Sequence, residues 1–399
     1  MLEKLFYYEA QLLANCQLKF KRYLFAQLEI DDRLIAIVGA RGTGKTTMLL
    51  QHALELKQLH HNHEVLYLTL DFPFLSNIDL FDFCEKFVQQ GGKYLLIDEV
   101  HKYKEFSSHL KSVYDFFPKL KIIITGSCAT SILNASADLS RRVTLYHLNG
   151  LSFREFLSIT SGKELSVYSF NQIINEHHEI TETITKEYSI EELFSQYLKY
   201  GYYPFYFDKQ QTYLSALLET VNLTIDIDLV TLGLIEQRYT YKLKKLLEVV
   251  CLSNPFEINL SNIAAQAEIS RVKLYDYLNY LDKGELILLV EQNVKGLKKI
   301  SKPAKLFLNN SNLLYAFCDD FKIGTVRETF FVNQLKHLHD IKSAKTGDFI
   351  IDNKTTIEVG GKNKNFRQVY DIDDAYLAVD TVATDNPRKI PLWLFGFLY

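Results

Sequence analysis

The stretch IVGARGTGKTTM, residues 37–48, limits what this chain can fold into more than any other. Gly39-Ala40-Arg41-Gly42-Thr43-Gly44-Lys45-Thr46 fits the spacing G-x-x-x-x-G-K-[ST], with Thr47 following. The run before it, RLIAIVG, reads as a buried strand, and TTMLLQHALELKQL after it has helical spacing. A strand, a glycine-rich turn and a helix in that order make a phosphate cradle. Glycines let backbone N–H groups turn inward, and the helix N-terminus adds partial positive charge. Lys45 is then placed to reach the β and γ phosphates of a nucleotide, and the Thr46 hydroxyl to meet Mg²⁺.

A second signal narrows the chemistry. KYLLIDE, residues 93–99, is an apolar strand ending in two acids. Asp98 at such a position holds Mg²⁺ through water, and Glu99 beside it polarises an attacking water. Kinases of small metabolites need no water-activating glutamate, so the pair favours hydrolysis. A third strand, KIIITGS (121–127), ends near Asp98 in a parallel sheet, where Ser127 becomes a candidate sensor of the γ-phosphate. Arg141 and Arg142 precede a further strand pattern, VTLYHL. Arg142 is a candidate for neutralising charge on the transferred phosphoryl group, in cis or from a neighbouring subunit, with a plain surface arginine as the alternative. His101 and Lys102 could touch the site too, with solvated loop residues as the commoner reading.

Taken together these patterns resemble the prokaryotic AAA-like P-loop ATPases known as the archaeal ATPase group. The shared features are a loop of the form G-x-R-x-x-G-K-[ST]-[ST], an apolar strand ending Asp-Glu, a T-G-S strand end, and an arginine before a strand leading into L-S-F-x-E-F, here Leu151–Phe156. The group has Gly-Arg where this chain has Arg141-Arg142. The resemblance implies an α/β fold, a parallel AAA-like sheet over residues 1–150, with ATP as the nucleotide and Mg²⁺ as its metal. It also implies a helical lid over 151–238, where Gly201 and Pro204 match the group's Gly-x-x-Pro turn.

Residues 239–308 read as a winged helix-turn-helix. Three helical patterns end in RVKLYDYLNYLDKGEL, where Leu274, Leu278 and Leu281 share one face, and a strand–turn–strand pattern follows. Lys295, Lys298, Lys299, Lys302 and Lys305 along that wing suit a DNA phosphate backbone. Docking onto a protein partner is the alternative, because Asp276 and Asp282 offset the cations of the helix that would read bases. In residues 309–399, Glu328 on a helical pattern and Asp348 and Glu358 on strand patterns resemble the carboxylates of the restriction-endonuclease-like fold. That fold places lysine two residues after the strand glutamate, where this chain has Gly360. Lys362 would lie about 6.6 Å further along a strand. The expectation is a nuclease-like domain without cleavage, and three ordinary surface carboxylates are the other possibility.

Bulk properties exclude some classes. A net charge of −3 rules out a generally basic nucleic-acid coat. Five scattered cysteines without paired spacing suggest a reducing, cytoplasmic setting and no zinc site. No apolar run approaches the ~20 residues of a membrane span. Three functions fit this reading: a Mg²⁺-dependent ATPase driving the later domains, a nucleotide-gated DNA- or protein-binding switch with little hydrolysis, or an ATP-licensed nuclease. A finger acting in trans would require an oligomer.

Overall fold

The structure, a computed structural model, describes all residues except 17–19, 31, 76–77, 104, 127–138, 140, 253–258 and 294–302. The chain divides into two compact units. The first is Met1–Gly150 together with Ile227–Leu234, and the second is Leu151–Asp226 with Ile235–Tyr399.

The first unit is built on five strands: β1 (Leu34–Val38), β2 (Val65–Thr69), β3 (Tyr94–Asp98), β4 (Lys121–Gly126) and β5 (Thr144–His147). All pair in parallel, in the order β2-β3-β4-β1-β5. The inner strands are continuous runs of Leu, Ile and Val because helices cover both faces of such a sheet. Leu34, Ala36 and Val38 pack into one core, and Ile35 and Ile37 into another on the opposite face. The edge strand β5 is only partly buried. This is the α/β architecture of a P-loop NTPase. Because β4 lies between β1 and β3, the carboxyl ends of all three open onto one crevice, where such sheets bind ligands.

The second unit carries helices Phe153–Ser161, Phe170–Thr185, Ile190–Tyr200 and Tyr213–Leu223, followed by a π-helical turn, Thr224–Asp228, whose last two residues belong to the first unit. Next come Thr240–Leu252, Leu260–Gln266 and Arg271–Lys283. The last two are joined by the short Ala267–Ser270 link, and Ser270 caps the second by accepting from Lys273 N–H. Leu274, Leu278 and Leu281 are buried on one face. After Gly284 the chain forms β6 (Ile287–Gln292) and β7 (Pro303–Leu308), paired antiparallel.

Three expectations are corrected here. The boundary at 308/309 runs through one sheet: β6 also pairs in parallel with β8 (Ile341–Ser343). The sheet continues through β9 (Phe349–Ile351), β10 (Thr355–Gly361), β11 (Ala375–Asp380) and β12 (Lys389–Pro391), giving a mixed seven-stranded sheet. The helices of 151–226 share a compact unit with this sheet instead of forming a separate one. Finally, Cys251 and Cys318, 67 positions apart, are joined in a disulfide with a Cα–Cα distance of 5.5 Å, a pairing that linear spacing does not disclose. Cys16 and Cys84 are free. Among the described residues no helix is long and apolar enough to cross a membrane.

Candidate nucleotide site

The cradle follows β1 directly. Gly39 has φ 154°, and a Cβ there would stand 2.3 Å from the Leu148 carbonyl oxygen, so only glycine allows the loop to pass β5. Gly42 and Gly44 also have positive φ, 87° and 95°, and Gly44 caps the helix Lys45–Leu59. The first turn of that helix has N–H groups with no partner inside the helix, the usual anion-binding end. Ala40 and Thr43 are buried, and the Thr43 hydroxyl donates to the Ala40 carbonyl at 3.0 Å. Thr47, in the first turn of the helix, is exposed.

Lys45 is buried and its Nζ donates to the carbonyls of Gly39 and Ala40, both at 2.8 Å. The ammonium is thus folded onto the loop it would leave to reach phosphate. Thr46 Oγ1 donates to Asp98 Oδ2 at 2.7 Å. Asp98 also accepts from Tyr67 OH at 3.1 Å and from Thr125 Oγ1. Its carboxylate is therefore fixed by hydroxyls from β2, β4 and the cradle helix. The Thr46 hydroxyl and the Asp98 carboxylate thus bring two oxygens side by side. Such a pair suits a hard dication like Mg²⁺, which takes few protein ligands and fills its octahedron with water and phosphate. Among the described residues no three His, Cys, Asp or Glu side chains could hold a metal by themselves.

Glu99 follows immediately in a left-handed conformation, φ 55° and ψ 45°, unusual for a residue with a Cβ. Its N–H donates to Thr125 Oγ1 at 3.1 Å, which pins the reversal to the end of β4. Such strain is typical of functional positions. Burial pushes the Glu99 carboxyl up to about 7, with Asp98 adding to the shift and Lys45 and Arg41 opposing it. His101 is buried, contrary to the reading of a solvated loop residue, and Nδ1 stands 3.3 Å from Glu99 Oε2. Burial depresses His101 to about 4, so its ring is neutral at physiological pH. Lys102 is exposed, 3.5 Å from Asp71.

Two arginines brace the loop. Arg22 is buried and donates to the carbonyls of Thr43, Asn149 and Gly150, the last two at 2.7 and 2.9 Å. Arg41 forms a bidentate pair with Asp228, Nε to Oδ2 at 3.1 Å and Nη2 to Oδ1 at 2.7 Å. Thr125 lies where the sequence places a hydroxyl, at the strand end beside Asp98. Sequence reasoning missed Tyr67, Arg22 and Asp228; Tyr67 stands within β2, the strand paired with the one that ends in Asp98. Asp228 is 187 positions from Arg41 and carries no local signal.

The remaining sequence candidates fare unequally. Ser127 lies outside the described residues. Arg142 is held by Asp115 through two hydrogen bonds of 3.0 Å. It precedes β5, whose Thr144 pairs with Ile35 near the start of β1. That is the amino end of the sheet, opposite the cradle, so Arg142 does not serve the phosphates of its own chain. Lys295, Lys298, Lys299 and Lys302 also lie outside the described residues. Lys305 is not a wing cation at all: it is 4% exposed and donates to Asp348 Oδ1 at 3.0 Å and Glu328 Oε2 at 3.2 Å.

The carboxylates of the second unit do converge, but around lysine. Glu328 comes from the helix Ile323–Leu335, Asp348 immediately precedes β9, and Glu358 lies in β10; all three are buried. Burial raises Glu328, with the Lys305 ammonium opposing and Asp348 adding. Asp348 Oδ2 accepts from the Val359 N–H at 2.9 Å. Glu358 pairs with Lys364, whose stem lies where a Cβ on Gly360 would be, 2.6 Å from Lys364 Cγ. Gly360 therefore makes room for a lysine from beyond the turn, one that the search two residues after Glu358 overlooked.

Residues 31–157 match the family described as an AAA domain, and residues 191–322 match a domain of unknown function, DUF8612. Over 303 residues, 70% of this chain, the sequence is 29% identical to the uncharacterized protein MJ1637 of Methanocaldococcus jannaschii. The alignment takes in 61% of that protein, so the chain spans about three fifths of the length of the relative it matches. Among solved structures, the Walker-type ATPase PABY2304 of Pyrococcus abyssi aligns with TM-score 0.39 at 14% identity, covering 72% of this chain and 91% of its own. The ORC1 protein of Aeropyrum pernix, solved in complex with DNA, aligns with TM-score 0.31 at 11% identity, covering 84% and 94%. Residues 31–157 thus match an AAA domain over a five-stranded parallel sheet ordered β2-β3-β4-β1-β5, the architecture of a P-loop NTPase.

Proposed function

We propose that the protein is a Mg²⁺-dependent ATP hydrolase whose nucleotide state controls its second unit. The observation that carries this reading is the convergence of Lys45, Thr46 and Asp98 at the cradle, with Glu99 fixed beside them by the Thr125 hydroxyl. Lys45 leaves the Gly39 and Ala40 carbonyls to neutralise the β and γ phosphates. Thr46 and Asp98 orient the cation, which when bound offsets charge on the leaving phosphates. Glu99 accepts the proton of the attacking water and, buried in its fixed turn, needs no large rearrangement to do so. The assignment of adenine rests on the AAA family match.

In this reading the helices of 151–226 respond to nucleotide as a lid. The helix pair with the β6–β7 hairpin works as a winged helix, and the carboxylate-bearing layer is nuclease-like but without cleavage, because lysines already neutralise its acids. Phosphate release from ATP tests the core of it. Wild type should turn over slowly, Lys45→Ala should lose both binding and release, and Glu99→Gln should retain nucleotide without hydrolysing it. Equal turnover in the three proteins would end the proposal. The raised Glu99 carboxyl favours a second reading, in which hydrolysis is slow enough for ATP to act as a switch for DNA or protein binding. Duplex binding that changes with nucleotide and weakens in Lys298→Ala/Lys299→Ala would support its DNA form; indifference to both would leave protein docking.

A further inference from the structure

The Thr224–Asp228 turn is where the chain passes from the second unit to the first, and it carries two acids two positions apart. Asp226, the last residue of the second unit before the crossing, pairs with Lys244 of the helix Thr240–Leu252 at 2.6 Å. Asp228, in the returning segment Ile227–Leu234, is 1% exposed and takes the bidentate grip of Arg41 from inside the cradle. The turn is π-helical, a geometry that recurs at functional sites. Each acid is thus tied to a different unit, and Ile225 to Asp228 is one short piece of backbone.

Arg41 is the third residue of the loop that would surround phosphate, and besides Asp228 the carboxylates of Glu99 and Asp71 act on it electrostatically. His101, also near Asp228, is neutral at physiological pH. A triphosphate in the loop brings several negative charges to a guanidinium already committed to a buried carboxylate. The same charges repel Asp228. Occupancy of the loop and closure of the Arg41–Asp228 pair therefore oppose each other, and the opposition must be reciprocal.

We propose that the Asp226–Asp228 turn is a latch through which occupancy of the cradle is passed to the second unit, with Asp228 as the positioning residue that holds Arg41 until nucleotide draws it away. The proposal rests on the reading of the cradle as an ATP site. Nucleotide loosens the segment Ile227–Leu234 from the loop, and the Lys244 pair carries that change to the helix Thr240–Leu252.

Hydrogen exchange of the peptide covering 224–234, read beside the affinity of a fluorescent, non-hydrolysable ATP analogue with Mg²⁺, tests this on the full chain. In wild type, saturating analogue should speed exchange in the peptide. Asp228→Asn should show fast exchange without nucleotide, no further response to it, and analogue binding about fivefold tighter, the low end of allosteric couplings. Arg41→Gln should show the same fast exchange but weaker binding, because a cation is lost from the loop. A plain structural strut predicts instead that both substitutions weaken binding, since each breaks the same pair; that outcome overturns the latch. So does wild-type protein that binds the analogue with no change in exchange at 224–234, a result that leaves the ATP reading intact. Absence of any analogue binding by wild type removes both.

Discussion

Lowering the pH should switch off turnover through Glu99 before it disturbs the fold. Burial holds this carboxyl near 7, against an ordinary value of 4.5, so it titrates within the physiological range. A residue that must accept a proton works only when ionised. Its ionised fraction is about one half at pH 7 and about one tenth at pH 6, so kcat/KM should fall about fivefold across that unit, approach a tenfold fall per unit below it, and level off above about pH 8. The limb should appear in kcat/KM, which reports the free enzyme, and should shift in kcat, where Lys45 no longer rests on the loop carbonyls. The same shift bears on stability. Between 4.5 and 7 native Glu99 holds a proton that the unfolded chain has released, so this group's contribution declines as pH rises across that window, by about 3 kcal/mol in total. Steady-state phosphate release from about pH 5.5 to 8.5, with binding measured at each pH, is the assay. Glu99→Gln should lack the turnover whose pH limb is being read, and should lose less stability with rising pH than wild type. A flat kcat/KM across the range, in protein that binds nucleotide throughout, would refute the role given to Glu99.

Other expectations concern the second unit and the far edge of the first. Lys305→Met leaves Asp348 buried without its cation and should destabilise the protein by about 3–5 kcal/mol. Adding Glu328→Gln and Asp348→Asn should restore most of that in denaturant unfolding, and failure of the triple variant to recover would show that the cluster is not a closed ionic unit. Thiol titration of unfolded, unreduced protein should find three free cysteines of the five, with Cys251 and Cys318 joined; reduction should then lower stability by at most about 4 kcal/mol for a loop of this length. Five free thiols would contradict the disulfide and favour the reducing compartment suggested by the cysteine spacing. Arg142→Ala should change stability little, because its pair with Asp115 lies at the surface, and should leave turnover intact; a concentration-dependent loss of turnover would instead make it a finger acting on a neighbouring chain.

The sequence discloses what depends on short-range pattern. The β1 strand, the glycine turn and the helix that follows are contiguous, and their chemistry is local, so Lys45, Thr46, Asp98 and Glu99 could be named from spacing alone. The parallel order also follows, since a strand ending in Thr125 had to lie near Asp98 for a crevice to form. Residues whose partners lie far along the chain escape such reading. Asp228 ends a short polar-apolar alternation, Thr224-Ile225-Asp226-Ile227-Asp228, that carries no sign of a partner, yet it meets a loop 187 positions earlier. Lys305 shows the reverse error. Counting cations along a hairpin ignores the two-residue period of a strand, which turns Lys305 inward onto Asp348 and Glu328. The fusion of the hairpin with the last ninety residues was hidden for the same reason: a parallel pairing of β6 with β8 leaves no mark on either segment. Arg142 is a candidate in the sequence because it precedes a strand pattern, but that strand pairs with β1 and Arg142 enters it at the end opposite the cradle.

Calorimetric titration of Mg²⁺·ATP into the full chain, beside Lys45→Ala, addresses the account most directly. One site per chain in wild type, weakened at least tenfold by loss of the ammonium and markedly dependent on Mg²⁺, is the expected result. Equal affinity in the two proteins, or none in wild type, would contradict it.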